Sequence, residues 1–131
     1  MVKTKRMDKL EYIPGDLVIY ASLIKEPIAE ICEVHEASYT VKFMHGNFAA
    51  TSKEIKPITL TPEILEKNGW KLSHGFYWSS NEEGAGVGLK SQTGYVWEAY
   101  IGRRLLRSNI NNVSDLQHLL FGLGLNSEME V

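Results

Sequence analysis

The apolar residues of this chain come in short runs, each closed by a turn signal before a long helix could form. "LVIY" follows Pro14-Gly15-Asp16, then come "PIAEICEVH" and "SYTVKFM", and "HGN" interrupts before "FAATSKEIKPI". In "SYTVKFM", Tyr39, Val41 and Phe43 share one side and Thr40, Lys42 and Met44 the other, which is the period of a strand. Short strands with tight turns over residues 13–58 predict a small, strongly bent antiparallel barrel. A lobe of that size is near the lower limit for independent stability and is expected to lean on the rest of the chain.

The pattern changes at "LTPEILEKNGW". Thr61 is placed to cap a helix, Pro62 suits its first position, and Glu63 favours the positive end of the helix dipole. Leu60 and Leu65 have the spacing of a hydrophobic staple. Gly69 ends the helix and lets Trp70 fold back on Leu65. A helix over 62–68 is followed by "GFYWSS", "GVGLKSQ" and "GYVWEAYIGRRLLR", which read as a three-stranded antiparallel meander over 75–107. A second helix is expected over 115–123, with Ser114 and Gln117 as a capping box and an apolar stripe of Leu116, Leu119, Leu120 and Leu123. The fold class is therefore α+β. A polar leader (1–12) precedes a barrel lobe (13–58) and an α+β lobe (59–131), the two lobes packing together.

Composition narrows the function. The net charge is -2 over 131 residues, so no global field draws the protein to nucleic acid or an anionic membrane. The single cysteine, Cys32, has no internal disulfide partner, which fits a reducing cytoplasm. No stretch approaches the roughly 20 apolar residues that span a bilayer.

Gly84, Gly86 and Gly88 alternate in "NEEGAGVGLK", but Leu89 follows, a strand pattern comes next, and no helix start is present to receive a phosphate. A hairpin turn followed by a glycine-relieved strand is the expectation. His35, His45, His74 and His118 fall in four separate elements without metal-ligand spacing, and Cys32 lies in an apolar strand. No catalytic set assembles, and the sequence implies no enzyme, no metal and no cofactor. Glu82 and Glu83 read as turn residues. Glu98, set among aromatics, is the carboxylate to check for burial, and a small hydrolase would need it to converge with a group such as His118.

One segment suggests binding. "YVWEAYIGRRLLR" interleaves Tyr95, Trp97 and Tyr100 with Arg103, Arg104 and Arg107, as single-stranded nucleic-acid binders do. Lys3, Lys5 and Arg6 could extend such a basic surface. The structural alternative buries Tyr95 and Trp97 in the core and leaves the arginines in solvent. Exposure of Tyr39, Phe43 or Phe48 would instead mark a partner site on the barrel.

Two resemblances add to this reading. "GDLVIY" and "IAEICEVHEASYTVKFMHG" are similar to the opening strands of SH3-like small barrels of the Tudor, KOW and chromo-barrel kind, which implies a peptide- or nucleic-acid-binding fold. The glycine expected inside a KOW motif is missing, and no methyl-lysine cage maps onto the chain. "EIKPITLTPEILEKNGWK", with the late "VSDLQHLLFGLGLNSEMEV", resembles an uncharacterised family of small bacterial and prophage proteins. That resemblance implies an accessory protein of mobile-element origin that binds a host or phage protein. A nucleic-acid-binding accessory protein is the alternative.

Overall fold

The computed structural model describes residues 12–21, 27–36, 38–43, 46–79 and 86–131. The expectations for the leader residues Lys3, Lys5 and Arg6, and for His45, Glu82, Glu83 and Gly84, lie outside these. The chain is mixed α+β with two antiparallel sheets, and it divides into two compact units, 1–58 and 59–131.

The first unit holds β1 (Leu17–Tyr20), β2 (Ile28–Val34), β3 (Tyr39–Phe43), β4 (Gly46–Ala50) and β5 (Ile55–Lys56). They form an antiparallel sheet in the order β4-β3-β2-β1-β5, with a 3₁₀ turn at Ser52–Glu54 ahead of β5. The Pro14-Gly15 turn that opens it is held from both sides. Asp16 N–H donates to the Ile13 carbonyl at 3.0 Å, and the Asp16 carboxylate accepts from Ile13 N–H at 2.9 Å. Gly15 adopts φ 97°, the conformation that the third position of a type II turn requires. Asp16 is buried, so its carboxylate serves the turn and not the surface.

The core of this unit is Val18, Tyr20, Ala29, Ile31, Val41, Ala50 and Ile55, with Tyr12, Tyr39 and Phe43 packed against it. The mixed pattern of "PIAEICEVH" has a physical cause. Ala29 and Ile31 point inward, then the register with β3 shifts between Ile31 and Glu33. A bulge of this kind re-aims the residues after it, so no single face is apolar throughout. Beyond it, Glu33, His35 and Thr40 gather on the surface, with His35 Nε2 2.9 Å from Thr40 Oγ1 and 3.2 Å from a Glu33 oxygen.

The second unit contains α1 (Pro62–Lys67), β6 (Lys71–Ser73), β7 (Phe76–Trp78), β8 (Val87–Lys90), β9 (Trp97–Ile101), β10 (Arg104–Ile110) and α2 (Val113–Gly122). Thr61 Oγ1 accepts from Ile64 N–H at 3.3 Å, and Pro62 stands in the first turn. At the other end Trp70 N–H returns to the Leu65 carbonyl at 3.0 Å and Gly69 N–H to that of Glu66 at 3.0 Å, with Gly69 at φ 86°. Those two bonds are the Schellman pattern.

The meander has five strands, β6 to β10 in chain order, where three were expected. Two tight turns account for the difference. His74 and Gly75 both take positive φ, 54° and 85°, which makes the two-residue hairpin that adds β6. Gly102, at φ 59°, opens a second two-residue turn and divides "YVWEAYIGRRLLR" into β9 and β10. A non-glycine residue in the left-handed region gives no strong sequence signal, and His74 hides its turn for that reason.

The cap of α2 also differs from expectation. Asn112 is the N-cap, its Oδ1 accepting from Asp115 N–H and from the Ser114 hydroxyl, each at 2.8 Å. Ser114 and Gln117 are buried inside the helix instead of capping it. The buried stripe is Val113, Leu116 and Leu120, while Leu123 is exposed. The helix closes with Gly124 at φ 76° and Leu125 N–H bonded to the Leu120 carbonyl at 2.9 Å.

Register fixes the two faces of this sheet. Tyr77, Leu89, Ala99 and Arg107 align on one, and Trp78, Gly88, Tyr100 and Leu105 on the other. Both helices meet the first face: Tyr77 donates to Glu66 of α1 at 2.9 Å, and Arg107 reaches Asp115 of α2 at 3.5 Å. Leu60, Leu65, Trp70, Leu89, Trp97, Ala99, Ile110 and Leu116 are buried in this unit.

Candidate binding surfaces

In the first unit, Phe43 and Phe48 stack with centroids 4.8 Å apart, and Tyr20 lies 5.4 Å from the first and 6.4 Å from the second. Register sets this up, because Val41 faces Phe48 and Phe43 faces Gly46 across the β3–β4 pair. The Phe48 ring lies over Gly46, where a Cβ would come within 2.9 Å of the ring. A bare position there leaves room for the ring to lie back along its own strand. Phe48 remains 43% exposed, whereas Tyr20 is buried and Phe43 partly buried. The result is an aromatic ledge with one open edge.

In the second unit, the sheet face opposite the helices carries Phe76, Trp78 and Tyr100. Phe76 is tilted against Trp78 at 5.5 Å and edge-on to Tyr100 at 5.4 Å. Lys90 Nζ stands 5.7 Å from the Phe76 centroid. Trp78 is buried, its indole N–H donating to the Ser73 carbonyl at 3.2 Å and its ring lying across Gly88. A Cβ at Gly88 would meet that ring at 2.8 Å. The role of this glycine is to make room for an indole.

Beside that row, Lys90, Gln92, Glu98, Ser108 and Asn109 line a polar cavity of about 290 Å³. The β8–β9 loop above it is braced from within: Ser91 Oγ donates to the Val96 carbonyl at 2.5 Å and accepts from Gly94 N–H at 2.9 Å. Asn109 has φ 59°, next to the second register shift of β10. Tyr100 donates to a Glu98 oxygen at 3.1 Å. This bond, followed by partial desolvation and the nearby negative charge, raises the Tyr100 phenol above its ordinary pKa.

The structure separates the residues singled out in "YVWEAYIGRRLLR". Trp97 is buried, as the structural alternative requires, but Tyr95 is 62% exposed. Arg103 sits in the turn after Gly102, and Arg104 pairs with Ile101, on the face opposite Tyr100. Arg107 aligns with Ala99 on that same opposite face and pairs with Asp115. Tyr100 and the arginines of β10 therefore do not form one stacking platform. Glu98 is exposed on the face away from α2, the helix that carries His118, so these two do not converge.

Among the described residues no group of three or more His, Cys, Asp or Glu is placed to share a metal ion. No helix among them is long and apolar enough to cross a membrane. Comparison with known proteins found no matching family model, curated protein or solved structure. Sequence reasoning missed the Asn109 bulge and the polar cavity. Their residues come from three strands and the β8–β9 loop, and only pairing brings them together.

Proposed function

We propose that the protein is a non-catalytic binding protein that grips another protein through the aromatic ledge of its first unit. In this reading that unit is an SH3-like small barrel, and the chain is an accessory protein of phage or mobile-element origin. Support for the barrel comes from the strand order β4-β3-β2-β1-β5 with a 3₁₀ turn before β5, the order in which SH3-like barrels string their strands.

The observation that carries the binding reading is Phe48. A large aromatic ring, 43% exposed, stacked on Phe43 and given room by the bare Gly46, offers an aromatic face with little side-chain entropy to lose on binding. Aromatic anchors of this kind dominate protein interfaces.

The test is a comparison of wild-type and Phe48→Ala baits in host lysate, with captured proteins identified by mass spectrometry. Capture of one protein by the wild type, lost in Phe48→Ala while the far-UV circular dichroism is unchanged, supports the reading. Equal capture by both baits refutes it. Retention of single-stranded DNA or RNA at low salt, released steeply as salt rises, would replace it with the nucleic-acid alternative.

A further inference from the structure

The segment after α2 does not leave the second unit. Asn68, at the C-terminal end of α1, accepts from Glu130 N–H at 2.8 Å and donates to the Glu130 carbonyl at 2.7 Å. The same side-chain amide also donates to the Ile64 carbonyl at 2.8 Å, which fixes its orientation against the helix end. Lys67 Nζ donates to the Val131 carbonyl at 2.9 Å, and the buried Gln117 donates to that of Ser127 at 3.1 Å.

Apart from the bond to Ile64, each of these joins a side chain of the body to a backbone atom of the segment. They hold main-chain atoms and leave the segment's side chains unread, while within the segment Glu128 N–H turns back to Asn126 Oδ1 at 3.0 Å. Between the segment and the body, Asn126, Glu128 and Met129 of the segment face Trp70, Ser79 and Leu120 across a cavity of about 270 Å³, so Met129 is the apolar side chain of the segment that borders this space. The segment also brings Glu128 and Glu130 to a helix end that carries Lys67.

We propose that this is a peptide-recognition groove, and that residues 126–131 are its intramolecular occupant. The partner that fits is an acidic segment of another protein that takes up the backbone path of residues 126–131, with one apolar side chain at the place of Met129. This site belongs to the second unit and the Phe48 ledge to the first, and each proposal stands or falls independently of the other. The tethered segment competes at an effective concentration on the order of millimolar, so a free peptide gains access only when the segment lifts off.

The probe is the fluorescently labelled peptide NSEMEV, titrated into the full chain. Glu130→Pro removes the N–H that Asn68 accepts, and heteronuclear NOE values at residues 127–131 report whether the segment is released. The released variant should bind the peptide at least about tenfold tighter than wild type. Adding Asn68→Ala should abolish that binding, a Met129→Ala peptide should bind at least about tenfold more weakly, and Phe48→Ala should change nothing. The proposal is overturned if the segment stays ordered in Glu130→Pro or if that variant unfolds. Released chain that fails to bind the peptide, or binding indifferent to Asn68→Ala or to the peptide's Met129→Ala change, overturns it equally.

Discussion

Trp97 of β9 donates its indole N–H to the backbone carbonyl of Leu60, 2.9 Å away and in a fully buried setting. The bond joins the middle of the second sheet to the residue that precedes the cap of α1. Both polar groups would otherwise be stranded in an apolar interior. Trp97→Phe retains most of the ring packing but removes the donor, leaving the Leu60 carbonyl without it. The expected loss is about 1–3 kcal/mol of unfolding free energy. Urea denaturation followed by circular dichroism measures it, and Tyr95→Ala, at an exposed position, serves as a control with a change under about 0.5 kcal/mol.

The contact between Trp78 and Gly88 predicts a steric cost. Gly88→Ala places a methyl group against an indole held by its bond to Ser73 and by Phe76, so the ring cannot swing away freely. The expected destabilisation is about 1–3 kcal/mol. In a Trp78→Leu background the same change should cost much less, giving a clear coupling energy in a double-mutant cycle.

Tyr77 predicts a pH dependence. Its phenol is raised above the ordinary tyrosine value, chiefly by desolvation, then by the hydrogen bond to Glu66 and the charges of Glu66 and Glu63. A raised pKa means that the folded state holds the proton more tightly than the unfolded chain. The associated stability is fully present below the unfolded value, about pH 10, and is lost as pH climbs through the folded value. Wild type should therefore lose more stability than Tyr77→Phe between pH 9 and pH 11. Thermal unfolding of both chains at the two pH values provides the comparison.

The cap of α2 offers a fourth measurement. Asn112→Ala removes the acceptor for Asp115 N–H and for the Ser114 hydroxyl, and should cost about 0.5–2 kcal/mol. A smaller loss than that of Ser114→Ala would restore Ser114 as the cap.

These cases mark what was readable in the residues. The α1 motif was legible because cap, proline, staple and stop all fall within "LTPEILEKNGW" and act over a single turn or two. The strands of the first unit were legible from alternation. The extra strands of the second sheet were not, because His74 takes a left-handed conformation without being glycine, and Gly102 sits in what reads as one continuous run. Tyr100, Arg104 and Arg107 are close in sequence, yet the chain reversal and strand pairing put the arginines on the other face. The Asn68 clamp lies further out of reach, since its two partners are 62 residues apart and the bonds go to backbone atoms that carry no residue identity. Phe48 was named in advance as a residue to watch, but the room for its ring depends on Gly46 two places earlier on the same strand.

The irregular pairing of β10 has one more consequence. This strand is the outer edge of its sheet, seven residues long and exposed from Arg104 to Asn109, with Leu105 and Leu106 among them. A straight ribbon of that kind would invite a foreign strand to zip alongside. Two register breaks and the left-handed Asn109 crumple it instead, and Arg104 sets a charge on the exposed edge. An edge bent out of true in this way is a poor template for a foreign strand.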